Sequence, residues 1–513
     1  MLRFLIVQIL IGLALTAPAL GLDNQSSSSP STSMVIENIL QDIRELTHPT
    51  YQGRQAGTDG GLHSANYLVD RFRSLGLQPV NRFLEQEPHF HWLQQRSMTA
   101  VQLLESAMIT LSLVNSNQSS MTMSLVPGPD ILPVLDSPAT RITARVVFVG
   151  YGIVDPARGI DEYQGMDVHN RIVLFLRGKP PSYPGWVTHE EKAATAKERG
   201  AVGYLTATGP LLDRYEARKG LGQAPLAIYG GTPDNRPIPG AWIHGKLLDQ
   251  VLKSANDSLE ALQQAANNSG EFLSRPLPLL AKFQWESRSL SGTLTNVIGM
   301  LPGRDPELRK EIILIGAHRD HFGQQAGLLF PGADDNASGT AVMLELARML
   351  SQSATSPKRT ILFVSFDGEE RGLLGSNLYV SHPAFPLERT VAMINLDHLG
   401  VGNGKLTVGV TRIDKTLAQQ AADQTGLREK IQLYGYFPGG DHVPFYDAGV
   451  PTVTVVSSGT HPQFHQPSDT LGSIQPENLE TGTQFLLSLL VLLADHSQPV
   501  SHPEPTAKDL SPG

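Results

Sequence analysis

Apolar positions along this chain fall into two rhythms. Short apolar runs at Glu311–Ala317 (EIILIGA), Ile361–Phe366 (ILFVSF), Val391–Leu396 (VAMINL) and Thr452–Val456 (TVTVV) read as strands. Between them lie helical stretches, notably Ser338 to Ser351, where Val342, Leu346 and Met349 share a face. Strands alternating with helices predict an α/β fold, a mostly parallel central sheet flanked by helices on both faces. Ligands of such sheets bind beyond the carboxyl ends of the strands. Nearer the start, Ala65, Leu68, Val69 and Phe72 mark a helix from His63 to Leu75, behind a turn-rich connection from Tyr51 to Thr58. A second style begins near Leu125. It has strand runs at Arg145–Gly150, Arg171–Leu176 and Ala201–Leu205, a helix at His189–Arg199 and another from Gly245 to about Ala265. This predicts a smaller mixed α/β unit. Residues from about 76 to 125 alternate only weakly and yield no assigned element.

The two ends differ from the rest. Arg3 precedes an apolar run from Phe4 to about Leu15, then small residues up to Gly21. That is the pattern of a secretory signal peptide, residues 1–21, with an uncleaved anchor helix as the alternative. It predicts an exported protein, periplasmic or secreted, with no stable membrane insertion after signal removal. Residues 22–34 read as a flexible, Ser-rich leader, and 497–513, rich in Pro and Ser, as a disordered tail.

Composition narrows the chemistry. A net charge of −9 over 513 residues leaves no basic stripe for nucleic acid, so no nucleic-acid partner is expected. With no cysteine, neither disulfides nor Cys-ligated metals can form. Any metal must be held by His, Asp and Glu. Those residues gather where the predicted strands end: His318-Arg319-Asp320-His321, Asp334-Asp335-Asn336, Asp367-Gly368-Glu369-Glu370, Asp397, and His465 with Asp469. Each alone is an ordinary cap or solvated side chain. Five such loops in one α/β unit point to a metal, with zinc suited to this donor set.

The order of these motifs resembles the zinc aminopeptidase family, metallopeptidase family 28. The resemblance is carried by His318-Arg319-Asp320, Asp335-Asn336-Ala337-Ser338-Gly339, Glu369-Glu370 with Gly372-Leu373-Leu374-Gly375-Ser376, Asp397, and His465 with Pro467 and Asp469-Thr470. It implies a zinc-exopeptidase domain from 35–124 and 283–496, interrupted at 125–282 by a segment similar to a protease-associated domain. It also implies two Zn²⁺ ions. Asp335 would bridge them, with His318 and Asp397 on one side and Glu370 and His465 on the other. Glu369 would be the general base acting on a metal-bridging water, and peptides with a free N-terminus the substrates. Asp320 would steady His318. Asp469 would steady His465 or cap a helix. His321, Asp441 and His442 would lie near the substrate pocket or serve as structural hydrogen-bonding residues. Some family members place a tyrosine immediately before the last histidine; here that position is Phe464.

Other readings stay open at this level. A glutamate-releasing carboxypeptidase shares the metal set and the insert. A glutaminyl cyclase works with one zinc, and a receptor-like binding protein would reuse the fold without catalysis.

Overall fold

The four apolar runs become neighbouring strands of one eight-stranded sheet. Its order is Leu93–Leu103, Ser287–Leu301, Thr360–Phe366, Ile312–His318, Thr390–Asp397, Thr452–Ser457, Leu406–Thr411 and Ile431–Tyr434. Ile312–His318 runs parallel to both its neighbours, and Thr390–Asp397 runs parallel to Thr452–Ser457. Four carboxyl ends therefore open side by side. Strands Ser287–Leu301 and Leu406–Thr411 join this core antiparallel. The structure is a computed structural model, and it describes residues 32–80, 92–105, 107–113, 122–212, 222–231, 237–268 and 274–497. The expected signal peptide, the leader up to residue 31 and the tail from 498 lie outside the described residues. Among the described residues no helix is long and apolar enough to cross a membrane.

The side-chain period of a strand explains the two layers. Ile313 and Ile315 face one way, into a core built with Ile39, Phe72, Val342 and Leu486 from helices Thr32–Leu46, Asp59–Ser74, Gly339–Ser351 and Pro476–Asp495. Ile312 and Leu314 face the other way, against Tyr379 and Phe445 from helices Leu374–Ser381 and His442–Asp447. Every residue of Ile312–His318 and Thr360–Phe366 is buried, as expected for strands covered on both faces.

A second eight-stranded sheet runs in the order Thr122–Leu125, Met108–Leu113, Arg275–Trp285, Thr140–Phe148, Ile172–Leu176, Gly203–Ala207, Gly240–Ile243 and Ile131–Pro133. It begins at Met108, ahead of the expected boundary at residue 125, because Met108–Leu113 pairs with Arg275–Trp285. Chain passes between the sheets where Leu103 leads to Met108 and where Trp285 leads to Ser287. The helix expected from Gly245 to about Ala265 is two, Gly245–Lys253 and Leu259–Asn267. Asn256 between them takes a left-handed φ of 58°, and the Ser258 side chain caps the second helix at Ala261 N.

In the turn after the short strand Ile160–Asp161, Glu162 is only 6 % exposed, and its Oε2 accepts from Tyr151 N at 3.1 Å and Ile153 N at 2.7 Å. Burial pushes its carboxyl up to about 7, against the opposing pull of those N–H groups. The folded state therefore holds this proton more tightly than the unfolded chain. The stability it contributes is complete at pH values below the ordinary glutamate range and is lost as pH rises toward 7. In Glu162→Gln that decline is expected to vanish, a difference of at most about 3 kcal/mol between pH 4.5 and 7.5. Melting curves of both proteins across that range check it; parallel pH profiles would contradict it.

Candidate active site

The strand ends bring the polar residues together. Ile312–His318 ends on His318, Thr390–Asp397 ends on Asp397, and Thr360–Phe366 delivers Glu369 and Glu370 through a short turn. Thr452–Ser457 leads into the loop that carries His465. Asp335 comes from the irregular turn Ala333–Ser338, which opens the buried helix Gly339–Ser351. Gly332 starts that turn at φ 58°, and a Cβ there would meet the Asp335 carbonyl at 2.2 Å and the His321 ring at 2.5 Å. Only glycine fits. The peptide bond between Asp335 and Asn336 is cis.

Asp335 stands between two donor sets. Its Oδ1 lies 3.4 Å from His318 Nε2, which is also 3.4 Å from Asp397 Oδ1. Its Oδ2 lies 3.2 Å from His465 Nε2, which is 3.5 Å from Glu370 Oε2. Each carboxylate oxygen of one residue thus addresses its own histidine and its own second carboxylate. Asp335 Oδ2 and Asp397 Oδ1 are buried without a hydrogen-bond partner. Burial would lower His318, yet the carboxylates of Glu369, Asp320 and Asp397 outweigh it and hold the ring well above the ordinary histidine range. A field that attracts a proton so strongly also favours a divalent cation. Burial holds His465 below the usual range, which keeps its ring neutral and fit to be a ligand. These residues have the donor chemistry of a metal site.

Around them the supporting contacts differ in part from expectation. The ring nitrogen Nδ1 of His318 faces the backbone oxygen of Asp320 at 3.2 Å, nearer than that residue's carboxylate at 3.7 Å. The Asp320 carboxylate instead accepts the N–H groups of Glu369 (3.1 Å) and Glu370 (3.4 Å). It clamps the glutamate turn. Asp469 does not reach His465; it accepts Asp334 N at 2.9 Å and Asp335 N at 3.1 Å, taking the capping alternative. His321 is buried with Nδ1 on Glu370 Oε1 at 2.8 Å, so it orients that carboxylate instead of lining an open pocket. His442 is buried and bonded to Phe437 O at 2.9 Å, the structural alternative. Asp441 is fully buried, with burial pushing its carboxyl up to about 7, and adds negative charge beside Glu369. Phe464 stacks on the His465 ring, centroids 3.6 Å apart, and lines a small pocket with His398, His461 and Val401.

Several residues here were given no role in the sequence reading. Asp334 accepts Gly400 N and Val401 N on Oδ1, while its Oδ2 meets His461 Nδ1 at 2.7 Å and His398 Nδ1 at 3.4 Å. Nε2 of His398 lies 3.7 Å from Asp397 Oδ1 and 3.8 Å from Asp335 Oδ2. His398 and His465 both hold left-handed φ values, 46° and 55°, a cost of about 1–2 kcal/mol each. Arg54 and Arg319 are fully buried beneath the loops. Position offered the one usable clue: His398 directly follows Asp397 at a strand end.

A parallel sheet with histidine and carboxylate groups converging past its strand ends defines an α/β metallohydrolase scaffold. Residues 296–490 match the family model described as Peptidase family M28. That segment of the chain is similar to this peptidase family. Aminopeptidase YwaD of Bacillus subtilis is 33 % identical over 201 residues, 37 % of this chain and 42 % of that protein. The probable glutamate carboxypeptidase VP8 of Zea mays is 25 % identical over 494 residues, 86 % of this chain and 63 % of that one. The chain thus spans between about two fifths and two thirds of these relatives' lengths. Among solved structures, an aminopeptidase from Aneurinibacillus sp. strain AM-1 shares the fold with a TM-score of 0.63 at 22 % identity, covering 92 % of this chain and 97 % of that one.

Proposed function

We propose that this chain is an exported aminopeptidase that uses two zinc ions to hydrolyse the first peptide bond of peptides with a free N-terminus. The observation that carries the reading is Asp335, whose two oxygens each face a separate histidine–carboxylate pair. His318 and Asp397 would hold one ion and His465 and Glu370 the other, with Asp335 shared. Zinc in these sites supplies Lewis acidity to the scissile carbonyl and to the attacking water. Glu369 takes the proton of that water and passes it to the leaving amine. Burial, with Asp441, Asp397 and Asp335 adding like charge, raises its carboxyl well above the ordinary range. A free substrate amine would bind near one ion and the nearby carboxylates, and so select chain ends. Phe464 brings no hydroxyl to the developing oxyanion; His398, His461 and Gln463 are polar side chains of the pocket beside it.

The second sheet is read as a protease-associated insert, and residues 1–21 as the export signal. Aminopeptidase YwaD among the relatives supports the assignment; the maize protein, matched along most of this chain, keeps a glutamate carboxypeptidase as the second reading. One assay separates them. A leucine chromogenic amide is expected to be cleaved while its N-acetylated twin is not. Release of glutamate from an N-blocked peptide, with the free-amine amide untouched, would overturn the aminopeptidase in favour of the carboxypeptidase.

A further inference from the structure

We infer that the second sheet completes the metal centre: its loop Leu226–Gly231 fixes the orientation and tautomer of His465. The inference rests on His465 being a metal ligand, as proposed above. Ala227 and His465 are tied by two hydrogen bonds. Ala227 N donates to the His465 carbonyl at 2.9 Å, and His465 Nδ1 meets the Ala227 carbonyl at 3.0 Å. A carbonyl only accepts, so Nδ1 carries the proton. The lone pair is thereby left on Nε2, which faces Asp335 Oδ2 and Glu370 Oε2. That is the tautomer a metal ligand needs, set by a partner behind the ring. Asp469, the acidic side chain the sequence suggested for this work, is instead engaged by Asp334 N and Asp335 N.

The loop is held firmly enough for the task. Asp136 accepts Gly230 N at 2.7 Å and Gly231 N at 3.0 Å, and Leu135 N donates to Ile228 O at 2.9 Å. Tyr229 is buried, with its hydroxyl 3.3 Å from Gln55 Nε2 and its ring 5.1 Å beneath the Arg371 guanidinium. Leu226 packs with Trp242 against Phe464, the ring stacked on His465. His465 also sits at φ 55°, a conformation that its surroundings must enforce. By contrast His318 Nδ1 is satisfied from within the peptidase sheet, by Asp320 O. Displacing the loop should therefore loosen one metal and spare the other.

Asp136 is the positioning residue to change, because it holds the loop without approaching the ligands. In chelator-competition titrations of the metal-free full-length protein with zinc, Asp136→Ala should weaken one of two affinities by about 10–100-fold and leave the other within about twofold. Asp136→Asn, which keeps one good acceptor, should fall between. A merely structural role would shift both affinities together or neither, and either result overturns the inference. Leu226→Ala tests the same tie from the Phe464 side should Asp136→Ala fail to fold. Nitrogen-15 spectra of metal-free protein, with His465 assigned by His465→Gln, keep the two readings apart. A proton on Nδ1 in the parent and a mixed tautomer in Asp136→Asn uphold the tie even if the chain proves to bind no zinc. A proton on Nε2 in the parent refutes it.

Discussion

Replacing Glu369 with glutamine is expected to lower kcat by about 10²–10⁴-fold while both metals stay bound. The neighbouring glutamates are chemically identical and differ only in what surrounds them. Glu370 has Oε1 on His321 at 2.8 Å and Oε2 3.5 Å from His465, and its side chain is 4 % exposed. Both its oxygens are committed. The Glu369 side chain is 17 % exposed and its nearest histidine nitrogen, His318 Nε2, is 4.0 Å away. It stands at the edge of the His318–Asp397 set, farther from the histidine nitrogen than Asp335 and Asp397, each at 3.4 Å. Glutamine keeps the shape and removes the basic oxygen, so proton transfer fails and binding does not. Steady-state kinetics with metal analysis on the same sample check this. Loss of metal in Glu369→Gln, with full metal and lost turnover in Glu370→Gln, would reverse the two roles.

Arg54→Met is expected to destabilise the protein by about 3–5 kcal/mol and to weaken metal binding as well. The Arg54 guanidinium lies fully buried. It donates to Leu46 O at 2.8 Å, Arg319 O at 2.6 Å, Pro331 O at 2.5 Å and Gly332 O at 2.8 Å. One planar fork therefore joins the first helix, the residue after His318 and the turn that delivers Asp335. Burial lowers its pKa to about 10 while Asp469, Asp320 and Asp335 counter that, so it stays charged at neutral pH. Methionine would fill much of the volume and leave four carbonyls facing apolar surroundings. A lysine would restore the charge without the fork, so Arg54→Lys should not rescue. Thermal unfolding of zinc-free and zinc-loaded protein measures both effects: a fall of about 10 °C without metal, and a smaller zinc-induced rise than in the parent. Unchanged melting in the zinc-free state would contradict the role given to Arg54.

Glu369 and Arg54 also mark how far the sequence could be read. The candidate residues His318, Asp335, Glu369, Glu370, Asp397 and His465 drew notice because apolar runs announce strands, and in a parallel sheet strand ends converge; their division into proposed ligands and base came only with the family resemblance. Arg54 drew no notice. A buried arginine inside a turn-rich stretch looks like any solvated one until four carbonyls close around it. The strands Met108–Leu113 and Thr122–Leu125 escaped notice because their stretch alternates only weakly; they pair with each other, and Met108–Leu113 also with the distant Arg275–Trp285. The tie between Ala227 and His465 joins residues 238 apart through the Ala227 backbone, which leaves no mark on residue choice there. Asp469 shows the converse limit: its proximity to His465 in the motif suggested a partner, yet its oxygens turn toward the Asp334–Asp335 backbone.

The central claim is that Asp335 separates two zinc sites. Anomalous diffraction from zinc-soaked crystals, recorded on both sides of the zinc edge, tests it most directly. Two peaks are predicted, one beside each Asp335 oxygen, the first within reach of His318 and Asp397 and the second of His465 and Glu370, roughly 3.5–4 Å apart. A single peak, or peaks that leave Asp335 uncoordinated, would contradict the account.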